Sequence, residues 1–116
     1  MRIYVAAPYT LGDPVRNTRD ALHAAEMLLA MGHIPYVPHL SLFWHLAFPH
    51  SAEFWYAYDL RWLEVCDAVY RLPGKSTGAD REVTHARELG LPVYESPADV
   101  PRSSPPTSGR SDGVVT

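Results

Sequence analysis

A single cysteine, Cys66, stands among 116 residues, which excludes an intrachain disulfide framework and a multi-cysteine metal site. Basic charge is also scarce. Ten Lys and Arg against 13 Asp and Glu give a net charge of -3. That balance argues against a face built to neutralise nucleic-acid phosphates and leaves small anionic ligands open. Long apolar runs are missing too. Arg2-Ile3-Tyr4-Val5-Ala6-Ala7 is too short for a leader's apolar segment or a membrane span and reads as a strand. A cytoplasmic protein with neither a membrane nor a nucleic-acid partner is expected. The six histidines, His39, His45 and His50 among them, follow no established metal spacing, so no metal site is expected.

What is present is the composition of a folded domain, 47% hydrophobic and 20% charged. All the aromatic residues lie at or before Tyr94, and from Pro97 the chain reads PADVPRSSPPTSGRSDGVVT. Such a stretch has little apolar area with which to offset the entropy of ordering. The expectation is one domain over residues 1–96 and a flexible Pro/Ser-rich tail over 97–116.

Within the domain, apolar runs of strand length alternate with helical periodicity. Ile3 to Ala7 reads as a buried parallel strand. Asp13-Pro14 is a cap followed by proline at the first helical position, and Val15, Thr18, Leu22, Ala25 and Leu29 predict one helical face before the stop at Gly32. Ile34 to Val37 reads as a second strand. Ser51 to Glu64 reads as a helix with Tyr56, Leu60 and Leu63 inward, and Ala68 to Leu72 as a third strand. Ala79 to Leu89 reads as a helix using Val83, Ala86 and Leu89, and Leu91 to Glu95 as a fourth strand. The alternation predicts an α/β fold: a single-domain parallel sheet of four to five strands with helices on both faces, Rossmann-like or flavodoxin-like. Ligands of such sheets sit beyond the carboxyl ends of the strands, which directs attention to the loops Ala7–Asp13 and Pro73–Glu82.

The second loop, Gly74-Lys75-Ser76-Thr77-Gly78, leads into a helix start. Its amides and hydroxyls either hold an anion there or simply cap the helix. It lacks the full phosphate-binding loop pattern of nucleotide hydrolases. Glu82 reads as lying in the first turn or so of that helix, where the ionised carboxylate is favoured, a setting for a structural cap or a nucleophile. Asp80 reads as a solvated or capping acid. Asp59, with Trp55 and Trp62 a turn away on either side, either has its pKa raised by an aromatic flank or pairs with Arg61 or Arg19 at the surface. An Asp and a Glu in contrasting environments are the equipment for glycosidic bond cleavage. Eight aromatic residues between Phe43 and Trp62 could line a base-stacking pocket or form a subunit interface. Cys66 reads as a buried small hydrophobe.

Three segments together resemble the nucleoside 2-deoxyribosyltransferase-like superfamily. They are Ile3-Tyr4-Val5-Ala6; Asp59-Leu60-Arg61-Trp62-Leu63 with Cys66-Asp67-Ala68-Val69; and Ser76-Thr77-Gly78 followed by Glu82, Ala86, Gly90 and Pro92-Val93. The branch most similar is that of the nucleoside 5′-monophosphate N-glycosidases. The resemblance implies that Glu82 is the nucleophile toward the anomeric carbon, that Asp59 assists departure of the base and handles the water, and that Tyr4 lies near the nucleophile. It implies that Ser76 and Gly78 hold a 5′-phosphate. Thr77, Tyr9 and Trp55 complete the candidate substrate-binding set. The transferases carry an acid six residues before the nucleophile, where this chain has Ser76, so the resemblance implies a nucleotide substrate and hydrolysis, with a transferase acting on free nucleosides or a non-catalytic nucleotide-binding module as the alternatives. A homodimer or larger homo-oligomer is implied as well.

Overall fold

Alternation along the first strand divides the core. A computed structural model describes residues 1–103, and in it β1 (Arg2–Ala6) sends Ile3 and Val5 to one face and Tyr4 and Ala6 to the other, all four fully buried. α1 (Pro14–Ala30) covers the first face through Ala21 and Leu28. β2 (Ile34–Tyr36) pairs parallel to one edge of β1. A 3-10 turn over Pro38–Ser41 and the short helix α2 (Leu42–Ala47) then lead into α3 (Ala52–Leu63). β3 (Ala68–Arg71) pairs parallel to the other edge of β1, and β4 (Val93–Tyr94) adds to β3 after α4 (Thr77–Glu88). On the second face, Leu63 of α3 and Ala79, Val83 and Ala86 of α4 pack against Tyr4, Ala6 and Val69.

The sheet order β2-β1-β3-β4 is wholly parallel, and the chain leaves β1 toward β2 on one side and returns to β3 on the other. The reversal opens a crevice between the carboxyl ends of β1 and β3, where neither connection can cross the sheet. The α/β class, the parallel sheet and helices on both faces follow the sequence expectation, with four strands among the described residues.

Three local expectations are corrected. Val15 and Leu22 are exposed, and α1 instead buries Ala21 and Leu28: small alanines let the helix approach the sheet closely, so its contact line runs beside the bulkier aliphatic residues. Leu89, expected inward, is also exposed. The packed chain does not stop at residue 96, because Pro97–Asp99 forms a 3-10 turn and Val100 is buried in the α1-side core. His33 bonds the Pro101 carbonyl, and the Ser103 amide donates to Met31 O at 2.8 Å. One apolar side chain and backbone groups suffice to dock a proline-rich segment. The rest of the expected tail lies outside the described residues.

Candidate active site

Two loops meet at the crevice. The ideal Cβ position of Gly74, at φ +116°, lies 2.9 Å from Pro8 Cγ, so only glycine lets the β3–α4 loop rest against the β1–α1 loop. Both loops are anchored. Asn17 Nδ2 donates to Tyr9 O at 2.9 Å and Leu11 O at 2.7 Å, and His39 Nε2 bonds Pro8 O at 2.8 Å. Arg71, the last residue of β3, turns its guanidinium under the second loop. It donates to Leu72 O, to Gly74 O at 2.9 Å and to Asp80 Oδ1 at 3.0 Å. Asp80, expected as a solvated or capping acid, is exposed but is the partner of this arginine.

Above the crevice is a cleft of about 560 Å³ lined by Tyr9, Trp55, Asp59, Ser76, Thr77, Gly78 and Glu82 together with residues of α2. Tyr4 lies beneath it and donates a buried hydrogen bond to Glu82 Oε2. Glu82 is the sixth residue of α4, on the same buried face as Ala79, Val83 and Ala86. This corrects the expectation of an ionised carboxylate at a helix start. Burial pushes its pKa up from 4.5 to about 7, against the Tyr4 hydrogen bond, which lowers it; the Asp59 charge raises it further, and Arg71 lowers it. Asp59 is buried and pairs with neither Arg61 nor Arg19. Its Oδ1 accepts from the Tyr36 hydroxyl at 3.4 Å, and burial raises its pKa to about 7, with the Tyr36 bond opposing. The aromatic flank reaches it through Tyr36, which stacks on Trp62 at 5.5 Å. Two carboxyls poised to exchange protons near neutrality thus share one cleft.

The first turn of α4 lines the same cleft. Ser76 caps it, its hydroxyl accepting from the Ala79 amide at 3.1 Å, while among the described residues nothing accepts from the amides of Thr77 and Gly78. A Cβ at Gly78 would meet nothing within 4 Å. The fold therefore does not require glycine there, and its bare amide stays open to the cleft. Along α3, Ala52, Trp55, Tyr56 and Asp59 present one helical face to the same space.

Tyr36, Arg71, His39 and His45 escaped the sequence reading. Arg71 was within its reach, since it ends a strand on the side where ligands bind. Tyr36, His39 and His45 gave no local signal, because their partners lie across the chain. Burial raises the Cys66 thiol to about 11, which keeps it protonated at neutral pH.

Residues 1–96 match the model of one family, a domain of unknown function, DUF7768. The chain belongs to that family. The match ends where the proline-rich segment begins, while the packing just described continues to Ser103. No curated protein matches the sequence. Among solved structures, a 2-deoxyribosyltransferase from the psychrotolerant bacterium Bacillus psychrosaccharolyticus is similar. The TM-score is 0.58 at 21% identity, over 80% of this chain and 69% of that one. The likeness establishes a deoxyribosyltransferase-like fold. Among the described residues, no helix is long and apolar enough to cross a membrane.

Proposed function

We propose that this protein is an N-glycosidase that hydrolyses the bond between base and sugar in a nucleoside or 2′-deoxynucleoside 5′-monophosphate. The observation that carries the reading is the pair Glu82 and Asp59, both buried in one cleft and both with pKa near 7, at the switch point of a deoxyribosyltransferase-like sheet. Ionised Glu82 attacks the anomeric carbon as the bond to the base breaks. The electron pair of that bond leaves on the base nitrogen and takes the proton of neutral Asp59. Water then adds to the anomeric carbon of the glycosyl ester, gives a proton to the Asp59 carboxylate and frees Glu82. The products are the free base and a sugar 5-phosphate. Tyr4 holds the Glu82 oxygen that is not attacking. Ser76 and the open amides of Thr77 and Gly78 receive the phosphate, and no step calls for a metal or cofactor.

Incubating the chain with each common ribo- and deoxyribonucleoside 5′-monophosphate and chromatographing the products tests the reading. Release of free base and sugar phosphate is expected, with loss of at least about 1000-fold in Glu82→Gln. Exchange of one base for another on free nucleosides would replace hydrolysis by transfer. Absence of both would leave a nucleotide-binding module.

A second copy of the chain is the proposed cover for α2. No residue of that helix is buried, and Phe43, Trp44, Leu46 and the following Phe48 are exposed beside the cleft that Leu42 and His45 line. So much apolar area at a site mouth fits a subunit contact. Sedimentation equilibrium showing only monomer at micromolar concentration would remove this part of the proposal.

A further inference from the structure

His45 Nδ1 accepts two hydrogen bonds, from the Trp55 indole N–H at 2.8 Å and from the His50 backbone amide at 3.2 Å. A ring nitrogen engaged as an acceptor carries no proton, so the proton of neutral His45 is assigned to Nε2. Among the described residues nothing accepts from that N–H, and His45 lines the cleft. Trp55 is equally fixed, with ring centroids of Trp44, Phe54, His50 and Tyr58 at 5.3, 5.2, 5.5 and 5.7 Å in edge-on contact. It precedes Asp59 by one turn on the cleft face of α3, about 6 Å along the helix axis at 1.5 Å per residue.

We propose that Trp55 and His45 form a base subsite for a flat heterocycle that presents a hydrogen-bond acceptor, a carbonyl oxygen or an unprotonated ring nitrogen, to His45 Nε2–H. The proposal rests on the glycosidase reading and adds how the base is recognised. The His50 amide and the Trp55 indole fix the tautomer, so the wall offers a donor in place of an acceptor and selects by the edge of the base. The aromatic packing holds the donor in place before the ligand arrives.

The test uses the full chain carrying Glu82→Gln, so that nucleotides stay intact. Long-range proton–nitrogen spectra are expected to show His45 protonated on Nε2. Each common nucleoside 5′-monophosphate that binds should shift the His45 Nε2 and Trp55 indole signals, whereas ribose 5-phosphate should shift only the amides of residues 76–79. His45→Asn keeps an acceptor for the Trp55 indole and deletes the Nε2 donor. It should weaken nucleotide binding about 3- to 10-fold, the worth of one neutral hydrogen bond, and leave ribose 5-phosphate binding unchanged. A proton found on Nδ1 overturns the proposal. So do nucleotides that shift residues 76–79 without touching His45, and that result leaves the glycosidase reading standing. No response to any nucleotide overturns both.

Discussion

Tyr4 and Glu82, 78 residues apart in the chain, are joined beneath the cleft by a hydrogen bond from phenol to carboxylate. The bond favours the charged form of Glu82 and opposes the burial that leaves its pKa at about 7. Turnover through ionised Glu82 and neutral Asp59 gives a bell-shaped rate profile centred near pH 7, falling in acid as Glu82 protonates and in base as Asp59 ionises. Tyr4→Phe keeps the buried ring and deletes the donor. A hydrogen bond to a charge contributes about 1.5 to 3 kcal/mol and one pKa unit is about 1.4, so the Glu82 pKa should rise by about one to two units past that of Asp59, which leaves the acid limb near pH 7, moves the base limb up by about one to two units and lowers the maximum several-fold or more. The pH dependence of kcat/KM is the measurement, and a base limb and maximum both unchanged would detach Tyr4 from the nucleophile.

The same burial predicts that the fold is strained by the charge it needs. Glu82 binds its proton more tightly in the folded chain, at about 7, than at its ordinary 4.5. Its contribution therefore costs nothing below about pH 4.5, grows as pH rises between the two values, and is complete above 7. Glu82→Gln keeps an oxygen for Tyr4 to donate to and removes the charge. The variant should match the parent at pH 4 and exceed it at pH 8 by on the order of 2 kcal/mol. Urea unfolding at both values checks this, and a variant less stable than the parent at pH 8 would contradict it.

Much of this arrangement could be read along the chain, because strands, helix caps and the carboxyl-end rule are local or topological. Asp13 caps α1 as its residue type predicts. What could not be read depends on contacts between distant segments. The short helix α2 lacks a buried face to give it periodicity. Asp59 owes its environment to Tyr36, 23 residues earlier, and Glu82 looked like a helix-start acid until the sheet covered it. Val100 could not be assigned to a core from a proline-rich context.

Val100 gives the next prediction. A chain ending at residue 96 loses its burial, the His33 bond to Pro101 O and the Ser103 amide bond to Met31 O. Burying a valine contributes about 1.5 to 3 kcal/mol and each hydrogen bond about 1. Compared with a chain ending at residue 103, it should be less stable by about 3 to 5 kcal/mol in denaturant. Equal midpoints for the two chains would place residues 97–103 outside the cooperative unit.

In the proposed function, Ser76 is the residue that separates nucleotide from nucleoside. Its hydroxyl caps α4 by accepting from the Ala79 amide at 3.1 Å, and aspartate is an equally good residue at that position. Ser76→Asp therefore keeps the helix start and adds only a negative charge beside the open amides of Thr77 and Gly78. Against a phosphate dianion in a partly desolvated cleft, repulsion and a lost hydrogen bond should cost about 2 to 4 kcal/mol. Each 1.4 kcal/mol is tenfold, so monophosphate turnover at low substrate should fall roughly 30- to 1000-fold. Turnover of the matching free nucleoside should fall far less or rise, because the new carboxylate accepts from a 5′-hydroxyl. The melting temperature should stay close to the parent's, since the cap is preserved. Equal losses on both substrates with an unchanged melting temperature would make Ser76 a cap alone and remove the phosphate from the proposed substrate.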